Sequence, residues 1–194
     1  MRIFGVILAG GQARRMAGRD KALLALNGQP LIGHVLDRLA PQVAALAISA
    51  NGDPARFAAF GCPVLPDADA LGPLSGILAG LRWAADGGAS ALVSAPVDAP
   101  FLPGDLVPQL LLAGEGRLTL ATSGGRDHPV VALWPVALAD DLGRFLASGV
   151  KPKVTDFADA QGAARARFPD PQAFLNLNTP EDLAAAEALI RGAA

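Results

Sequence analysis

The chain has 194 residues, of which 52% are hydrophobic and 18% are charged, and its formal net charge is −2. This composition allows a full hydrophobic core and argues against a disordered chain. Basic residues occur only in short clusters, whereas proteins that bind nucleic acid usually carry a basic stripe or patch. We therefore expect one domain over residues 1–194 with no nucleic-acid partner.

Cys62 is the single cysteine, and the chain has two histidines. A disulfide within the chain is thereby excluded, and a zinc site of the usual Cys and His type would lack ligands. The N-terminus lacks the apolar run and cleavage site of an export signal. No stretch approaches the roughly 20 apolar residues of a membrane span. We therefore expect a cytoplasmic protein without membrane contact, and we also expect a monomer.

Apolar runs of strand length alternate with amphipathic runs of helix length. The pattern predicts strands at 3–8, 45–50, 91–95, 117–121 and 129–134, and helices at 30–39, 74–85, from 103, at 137–147 and from 180 to about 190. Buried strands separated by helices favour a mostly parallel, doubly wound α/β sheet. Ligands on such sheets bind beyond the carboxyl ends of the strands. Functional residues are therefore expected directly after each strand.

The first predicted strand ends in Gly10 and Gly11, and Arg15 and Lys21 follow. Adjacent glycines let the backbone approach a ligand closely, and N–H groups in such loops can point at phosphate oxygens. Arg15 and Lys21 would add positive charge for a triphosphate and its pyrophosphate leaving group. The spacing is neither that of a Walker A loop nor that of a dinucleotide fingerprint. The structural alternative is a tight turn with solvated arginines.

Two further segments carry oxygen ligands. Asp98 follows the strand 91–95 and lies between two prolines, and Asn176 and Asn178 precede the last helix. Mg²⁺ usually takes one or two carboxylates together with substrate phosphates. Asp98 is therefore a candidate Mg²⁺ ligand, and the amide oxygen of Asn178 could complete the metal shell or orient a phosphate. The alternatives are that Asp98 caps the next helix and that both asparagines are turn residues.

These segments together resemble the molybdenum cofactor guanylyltransferases, from residue 6 to about 188. The matching stretches are 8–11, 14–16, 20–21, 23–24, 28–31, 49–51, 66–67, 72–76, 98 with 100–101, 126–129 and 176–183. The resemblance implies a three-layer α/β/α nucleotidyltransferase fold and GTP and molybdopterin as substrates. It implies that GTP is contacted by Leu8, Ala9, Gly10, Gly11, Lys21, Asn51, Asp67 and Asp98, and it places Gly72 and Gly76 near the base and ribose.

The implied reaction is an in-line displacement at the α-phosphorus of GTP by the terminal phosphate of molybdopterin. This phosphate is already ionised, so catalysis would rest on positioning and charge neutralisation by Arg15, Lys21, Asp98 and Mg²⁺. Acceptor binding is expected at Arg126, Asp127, His128, Lys151, Lys153 and Asn176. Any contact with molybdoenzymes or their chaperones would be transient.

Other functions remain open at this point. Relatives that use CTP usually read Leu-Ala-Ala-Gly in the first loop, whereas Gly10 stands at the third position here. A molybdopterin cytidylyltransferase or a sugar-phosphate nucleotidyltransferase is the nearest alternative. A nucleotide or cofactor carrier without turnover is an alternative of another class, and Ala17, where many relatives have glycine, is its only hint. A purely structural domain would explain none of the placed segments.

Overall fold

The structure is a computed structural model that describes residues 1–10, 15–16, 19–66, 72–149 and 153–192, with the backbone alone at 15, 16 and 19. Within these ranges the strands are β1 (Ile3–Leu8), β2 (Arg15–Met16), β3 (Arg19–Asp20), β4 (Ala25–Leu26), β5 (Gln29–Pro30), β6 (Ala45–Ser49), β7 (Val64–Leu65), β8 (Ala91–Pro96), β9 (Thr119–Ser123), β10 (Arg126–Pro135) and β11 (Ala164–Phe168). The α-helices are α1 (Leu31–Leu39), α2 (Pro73–Asp86), α3 (Leu106–Gly114), α4 (Ala139–Ala147), α5 (Val154–Ala160) and α6 (Pro180–Gly192).

Seven of these strands form one sheet in the order β11-β9-β10-β8-β1-β6-β7. β1 lies between β8 and β6 and is parallel to both. β6 pairs in parallel with β7, and β9 with β11. β10 is antiparallel to both of its neighbours. The expectation of a mostly parallel sheet is confirmed, with one antiparallel strand inside it. Two short antiparallel pairs, β2 with β3 and β4 with β5, lie outside this sheet.

The sheet is covered by helices on both faces. Ile7 of β1 belongs to a core cluster that includes residues of α1 and α3. Its neighbours Val6 and Leu8 belong to a second cluster with residues of α2, α4 and α5. Successive side chains of a strand point to opposite faces of the sheet. These two clusters therefore show that β1 is buried on both faces, which explains why its sequence is a continuous apolar run. The predicted three-layer arrangement is confirmed.

A third cluster anchors the C-terminal helix. Leu177 and Ala186 are buried together with Leu26 of β4 and Leu31 of α1, and Phe101 packs against them. This packing holds the segment before α6 beside the segment that follows β8. Asn176 and Asn178 are thereby brought to the edge of the sheet where Asp98 lies.

Several predicted boundaries were wrong. α3 begins at Leu106 instead of residue 103, because residues 103–105 form a turn and the Val107 N–H donates to the Gln42 side chain (2.9 Å). β10 begins three residues before the predicted start at 129. α5 and β11 were not predicted. In the described part of the chain, no helix is long and apolar enough to cross a membrane.

Candidate active site

The strand ends of β1, β6 and β8 meet at one edge of the sheet. Leu8 lies opposite Ser49 of β6 and opposite Pro96 of β8. The Ala9 N–H continues this pairing by donating to the Ser49 carbonyl (2.9 Å). Gly10, Asn51 and Asp98 therefore follow three neighbouring parallel strands. This is the edge at which ligands bind on sheets of this kind.

Lys21 is buried at this edge and connects two of the predicted segments. Its Nζ lies 2.7 Å from Asp98 Oδ2 and 2.7 Å from Asn178 Oδ1. The Lys21 side chain is 6% exposed and that of Asp98 is 18% exposed. Lys21 opens a short 3₁₀ turn, which Asp20 caps by accepting the Ala22 N–H at Oδ1 (3.0 Å). A lysine that sequence reasoning placed on phosphate oxygens is thus paired with both predicted metal ligands.

Asn178 is held in place by the start of α6. Asp182 Oδ2 accepts the N–H groups of Asn178 (2.8 Å) and Thr179 (2.9 Å), and Thr179 Oγ1 accepts the Asp182 N–H (3.1 Å). This reciprocal pairing is a capping box in which Thr179 is the N-cap of α6. The donated hydrogen bonds lower the pKa of Asp182. One residue earlier, the Leu177 N–H donates to the Asp98 carbonyl (2.9 Å).

The oxygen atoms around the Lys21 ammonium fit a divalent cation. Asp98 Oδ1 is buried and has no hydrogen-bond partner in the described part of the chain. Asp98 Oδ2 and Asn178 Oδ1 already face a positive charge. No cluster of three or more His, Cys, Asp or Glu residues lies within the described ranges. One carboxylate and one amide suit Mg²⁺, which takes most of its other ligands from water and substrate phosphates.

A cleft of about 680 Å³ opens beside Asp98. It is lined by four of the six predicted acceptor residues, which are Arg126, Asp127, His128 and Asn176, and by both predicted metal ligands, Asp98 and Asn178. The cleft therefore joins the cation site to the predicted acceptor residues. Lys153 is exposed just before α5 and does not line this cleft.

His128 and Phe174 form a flat stacked pair in the wall of this cleft. Their ring centroids are 4.5 Å apart and their planes differ by 11°. The His128 Nε2 lies 2.7 Å from Ser123 Oγ, which fixes the orientation of the imidazole ring. Burial and the nearby Arg126 lower the pKa of His128, and Asp127 opposes this shift. This shift favours the neutral form of the imidazole. Neither Phe174 nor Ser123 was predicted, because neither lies in a recognisable motif.

Asp127 forms an ion pair with Arg165, which lies on the edge strand β11. Arg165 of β11 places Nε 3.0 Å from Asp127 Oδ2 and Nη2 2.7 Å from Asp159 Oδ1. Arg165 therefore pairs with two carboxylates from two different elements. This pairing ties β10, β11 and α5 together at the rim of the cleft.

The two glycines at the start of α2 differ in their surroundings. Gly72 has φ +90° at the N-cap, a conformation that favours glycine. Gly76 is buried, and a Cβ atom there would lie 2.5 Å from Ser49 Oγ and 2.9 Å from Leu8 Cδ2. Gly76 therefore lets α2 approach β1 and β6 closely. A contact of either glycine with GTP stays a prediction.

Some predicted site residues lie outside the described part of the chain. These are Gly11, Asp67 and Lys151, together with the side chain of Arg15. Of the remaining nucleotide candidates, Leu8 and Ala9 are buried at the end of β1, and Gly10 is exposed. The Asn51 carbonyl accepts a hydrogen bond from Arg56 Nη2 (2.7 Å). Arg56 is a further residue near the site that no sequence pattern indicated.

Comparisons with known proteins agree on one family. The family described as "MobA-like NTP transferase domain" matches residues 5–161. The chain is 64% identical to a molybdenum cofactor guanylyltransferase of Cereibacter sphaeroides, over 98% of each chain. It is 53% identical to one of Rhodobacter capsulatus, also over 98% of each chain.

A solved structure with the same fold comes from an archaeon. The crystal structure of molybdopterin-guanine dinucleotide biosynthesis protein A from Archaeoglobus fulgidus has a TM-score of 0.75 at 23% identity. The match covers 97% of this chain and 99% of that chain. At this level of identity the likeness shows the fold, whereas the family is shown by the closer relatives.

Proposed function

This chain belongs to the molybdenum cofactor guanylyltransferase family and has that activity, and we propose that it transfers GMP from GTP to the terminal phosphate of molybdopterin. One observation carries the assignment of the site. Lys21, Asp98 and Asn178 come from three distant parts of the sequence and meet within hydrogen-bonding distance at the carboxyl end of β8. Asp98 and Asn178 line the cleft that also holds Asn176 and His128.

GTP lies, in this proposal, over the ends of β1 and β6. Gly10 follows β1 and supplies its backbone N–H to a phosphate oxygen, as such turns do elsewhere. Asn51 follows β6, one strand further along the sheet, and lies on the side of the base. The start of α2 adds Gly72 and the positive end of a helix dipole between these two elements. These positions leave the α-phosphate next to Asp98.

Asp98 and Asn178 are the residues that would hold Mg²⁺. When bound, the ion would neutralise charge that develops on the α-phosphate and on the departing pyrophosphate. A metal held by Asp98 and Asn178 would take the Asn178 oxygen from Lys21 and would weaken its pairing with Asp98. The Lys21 ammonium would then be available to phosphate oxygens of the nucleotide. In this proposal Lys21 is the partner of Asp98 and Asn178 in the free protein and a catalytic residue for the leaving group once the nucleotide is bound.

The acceptor lies in the cleft beyond Asp98. The His128 ring, stacked on the buried Phe174, offers the cleft a flat face that suits a pterin ring. Arg126 and Asn176 line the same cleft and are exposed, so they can reach phosphate or pterin polar atoms. Asp127 is proposed to shape the rim through Arg165 instead of binding the acceptor directly. Lys153 has less support because it lies outside the lining.

The reaction needs no general base. An oxygen of the acceptor phosphate, already ionised, attacks the α-phosphorus of GTP, and the bond from that phosphorus to the β-phosphate oxygen breaks. The products are the guanine dinucleotide and pyrophosphate. The chain contributes alignment of the two phosphates and positive charge around them, which are the main sources of rate in phosphoryl-type transfer.

Incubation with GTP, Mg²⁺ and molybdopterin, followed by mass spectrometry, tests this function. The expected result is a guanine dinucleotide product with stoichiometric pyrophosphate. A cytosine dinucleotide formed faster from CTP would show a different nucleotide specificity. Tight GTP binding without pyrophosphate release would show a carrier instead of an enzyme.

Asp98→Asn is the variant that tests the site. It keeps an oxygen near Lys21 and removes the negative charge, so the fold is retained better than in Asp98→Ala, which leaves a buried ammonium with one partner fewer. We expect kcat to fall by a factor on the order of 10²–10³, the usual cost of one preorganised charged group. Turnover close to that of the wild type would remove Asp98 from the mechanism.

A further inference from the structure

Arg56 contacts residues of two different loops in the part of the molecule proposed to bind the nucleotide. It lies in a 3₁₀ helix, Pro54–Phe60, that follows β6. Its Nη2 donates to the Asn51 carbonyl (2.7 Å), and its Nη1 donates to the Asp53 carbonyl (2.8 Å). These two bonds fix the path of the backbone directly after the carboxyl end of β6.

The same guanidinium reaches the segment that carries Lys21. Arg56 Nε lies 2.9 Å from Asp20 Oδ2. The other oxygen of this carboxylate accepts the Ala22 N–H and so caps the turn that Lys21 opens. A continuous path of contacts therefore leads from the Asn51 carbonyl through Arg56 and Asp20 to Lys21.

The Arg56 guanidinium also packs against an aromatic ring. Its guanidinium carbon lies 4.5 Å from the centroid of the Phe57 ring, and Phe57 is fully buried in the core. Stacking on an aromatic face together with several donors in one plane is a geometry that arginine provides and lysine does not. Only 24% of the Arg56 side chain is exposed.

We propose that Arg56 is a positioning residue that fixes the loop after β6 relative to the turn that carries Lys21. It contacts neither reacting group, and it acts through Asn51 and Asp20. Its effect is to preorganise the base side and the phosphate side of the nucleotide site at a constant separation. This inference rests on the proposed function, which assigns Asn51 and Lys21 to GTP.

Loss of this connection should weaken GTP binding more than turnover. In Arg56→Gln, free protein would sample several spacings of the two loops, and bound GTP would have to select one of them. We expect the Kd and the KM for GTP to rise about tenfold, on the order of one charge-assisted hydrogen bond. The KM for the acceptor and the kcat at saturating GTP should stay close to those of the wild type.

Arg2→Gln is a matched control. Arg2 Nη1 donates to the Gly87 carbonyl (2.9 Å), and its guanidinium lies 5.2 Å from the Phe4 ring centroid. This arginine makes two of the three kinds of contact that Arg56 makes, to a backbone carbonyl and to an aromatic ring, at the amino end of β1 and away from the proposed nucleotide site. Arg56→Lys is the conservative variant; it can keep a charge near Asp20 but cannot make all three contacts. We expect it to fall between wild type and Arg56→Gln.

For each variant we would measure the Kd for GTP by calorimetry, the KM and kcat of the reaction, and the thermal unfolding temperature. Binding would be measured at a temperature well below that of unfolding. A double-mutant cycle adds Asp20→Asn, whose effect on Kd should be less than additive with that of Arg56→Gln. A Kd for GTP in Arg56→Gln equal to that of Arg2→Gln, with only the unfolding temperature lowered, would overturn the inference. A wild-type protein that binds no GTP would instead overturn the proposed function on which it rests.

Discussion

Replacing Lys21 by methionine should destabilise the free protein and at the same time create a vacant cation site. The Lys21 ammonium is the hydrogen-bond partner of Asp98 Oδ2 and Asn178 Oδ1, each at 2.7 Å. Asp98 Oδ1 is buried without a partner in the described part of the chain. Methionine has a similar length and no charge, so the variant leaves the Asp98 carboxylate largely shielded from water and unpaired.

The expected magnitude follows from the burial of this pair. Removing one partner of a buried ion pair costs about 3–5 kcal/mol, because the other charge remains without compensation. For a chain of this size, that loss corresponds to an unfolding temperature lowered by roughly 6–20 °C. Adding Asp98→Asn to Lys21→Met removes the uncompensated charge as well. The double variant should therefore be more stable than Lys21→Met alone.

Thermal unfolding in the presence and absence of Mg²⁺ is the assay. Mg²⁺ should raise the unfolding temperature of Lys21→Met more than that of the wild type, because Asp98 and Asn178 no longer hold an ammonium. The double variant with Asp98→Asn is the control, and Mg²⁺ should stabilise it less. An unfolding temperature of Lys21→Met equal to that of the wild type, with no gain from Mg²⁺, would refute this reasoning.

Two further predictions concern packing and protonation. Gly76→Ala should lower the free energy of unfolding by about 1–3 kcal/mol through overpacking, since the added Cβ would meet Ser49 and Leu8. Gly104→Ala is the control and should be nearly neutral, because no atom lies within 4 Å of a Cβ built there. NMR titration should give a pKa for His128 below its ordinary value of 6.5. The unfolded chain then binds more protons than the folded one as the pH falls through 6.5, so stability should decrease there. A titration midpoint above 6.5, or a Gly76→Ala variant as stable as Gly104→Ala, would contradict these expectations.

The parts of the fold that follow from local pattern could be predicted. β1 and β8 are apolar along their whole length because both faces are buried, and the sequence displays this directly. The start of α3 could not be predicted, since the N–H of Val107 is satisfied by Gln42, which lies 65 residues away. β11 was missed because its alternating arginines suggest a solvated segment, whereas Arg165 is neutralised by two aspartates from other elements.

Some residues of the candidate site could likewise be predicted from local sequence pattern, and others could not. Asp98 could be predicted because it directly follows a buried strand, where parallel sheets bind ligands. The pairing of Lys21 with Asp98 spans 77 residues, and no local pattern indicates which residue holds the lysine in the free protein. Arg56 lies in no motif, because its role depends on carbonyl groups and on one aspartate from another loop.

A crystal structure of the chain with Mg²⁺ and a non-reactive GTP analogue would show whether Lys21, Asp98 and Asn178 form the site of nucleotide transfer. We expect a metal ion about 2.0–2.1 Å from an Asp98 oxygen, with the Lys21 ammonium moved onto phosphate oxygens. A nucleotide bound elsewhere, with Lys21 still paired to Asp98 and Asn178, would contradict it.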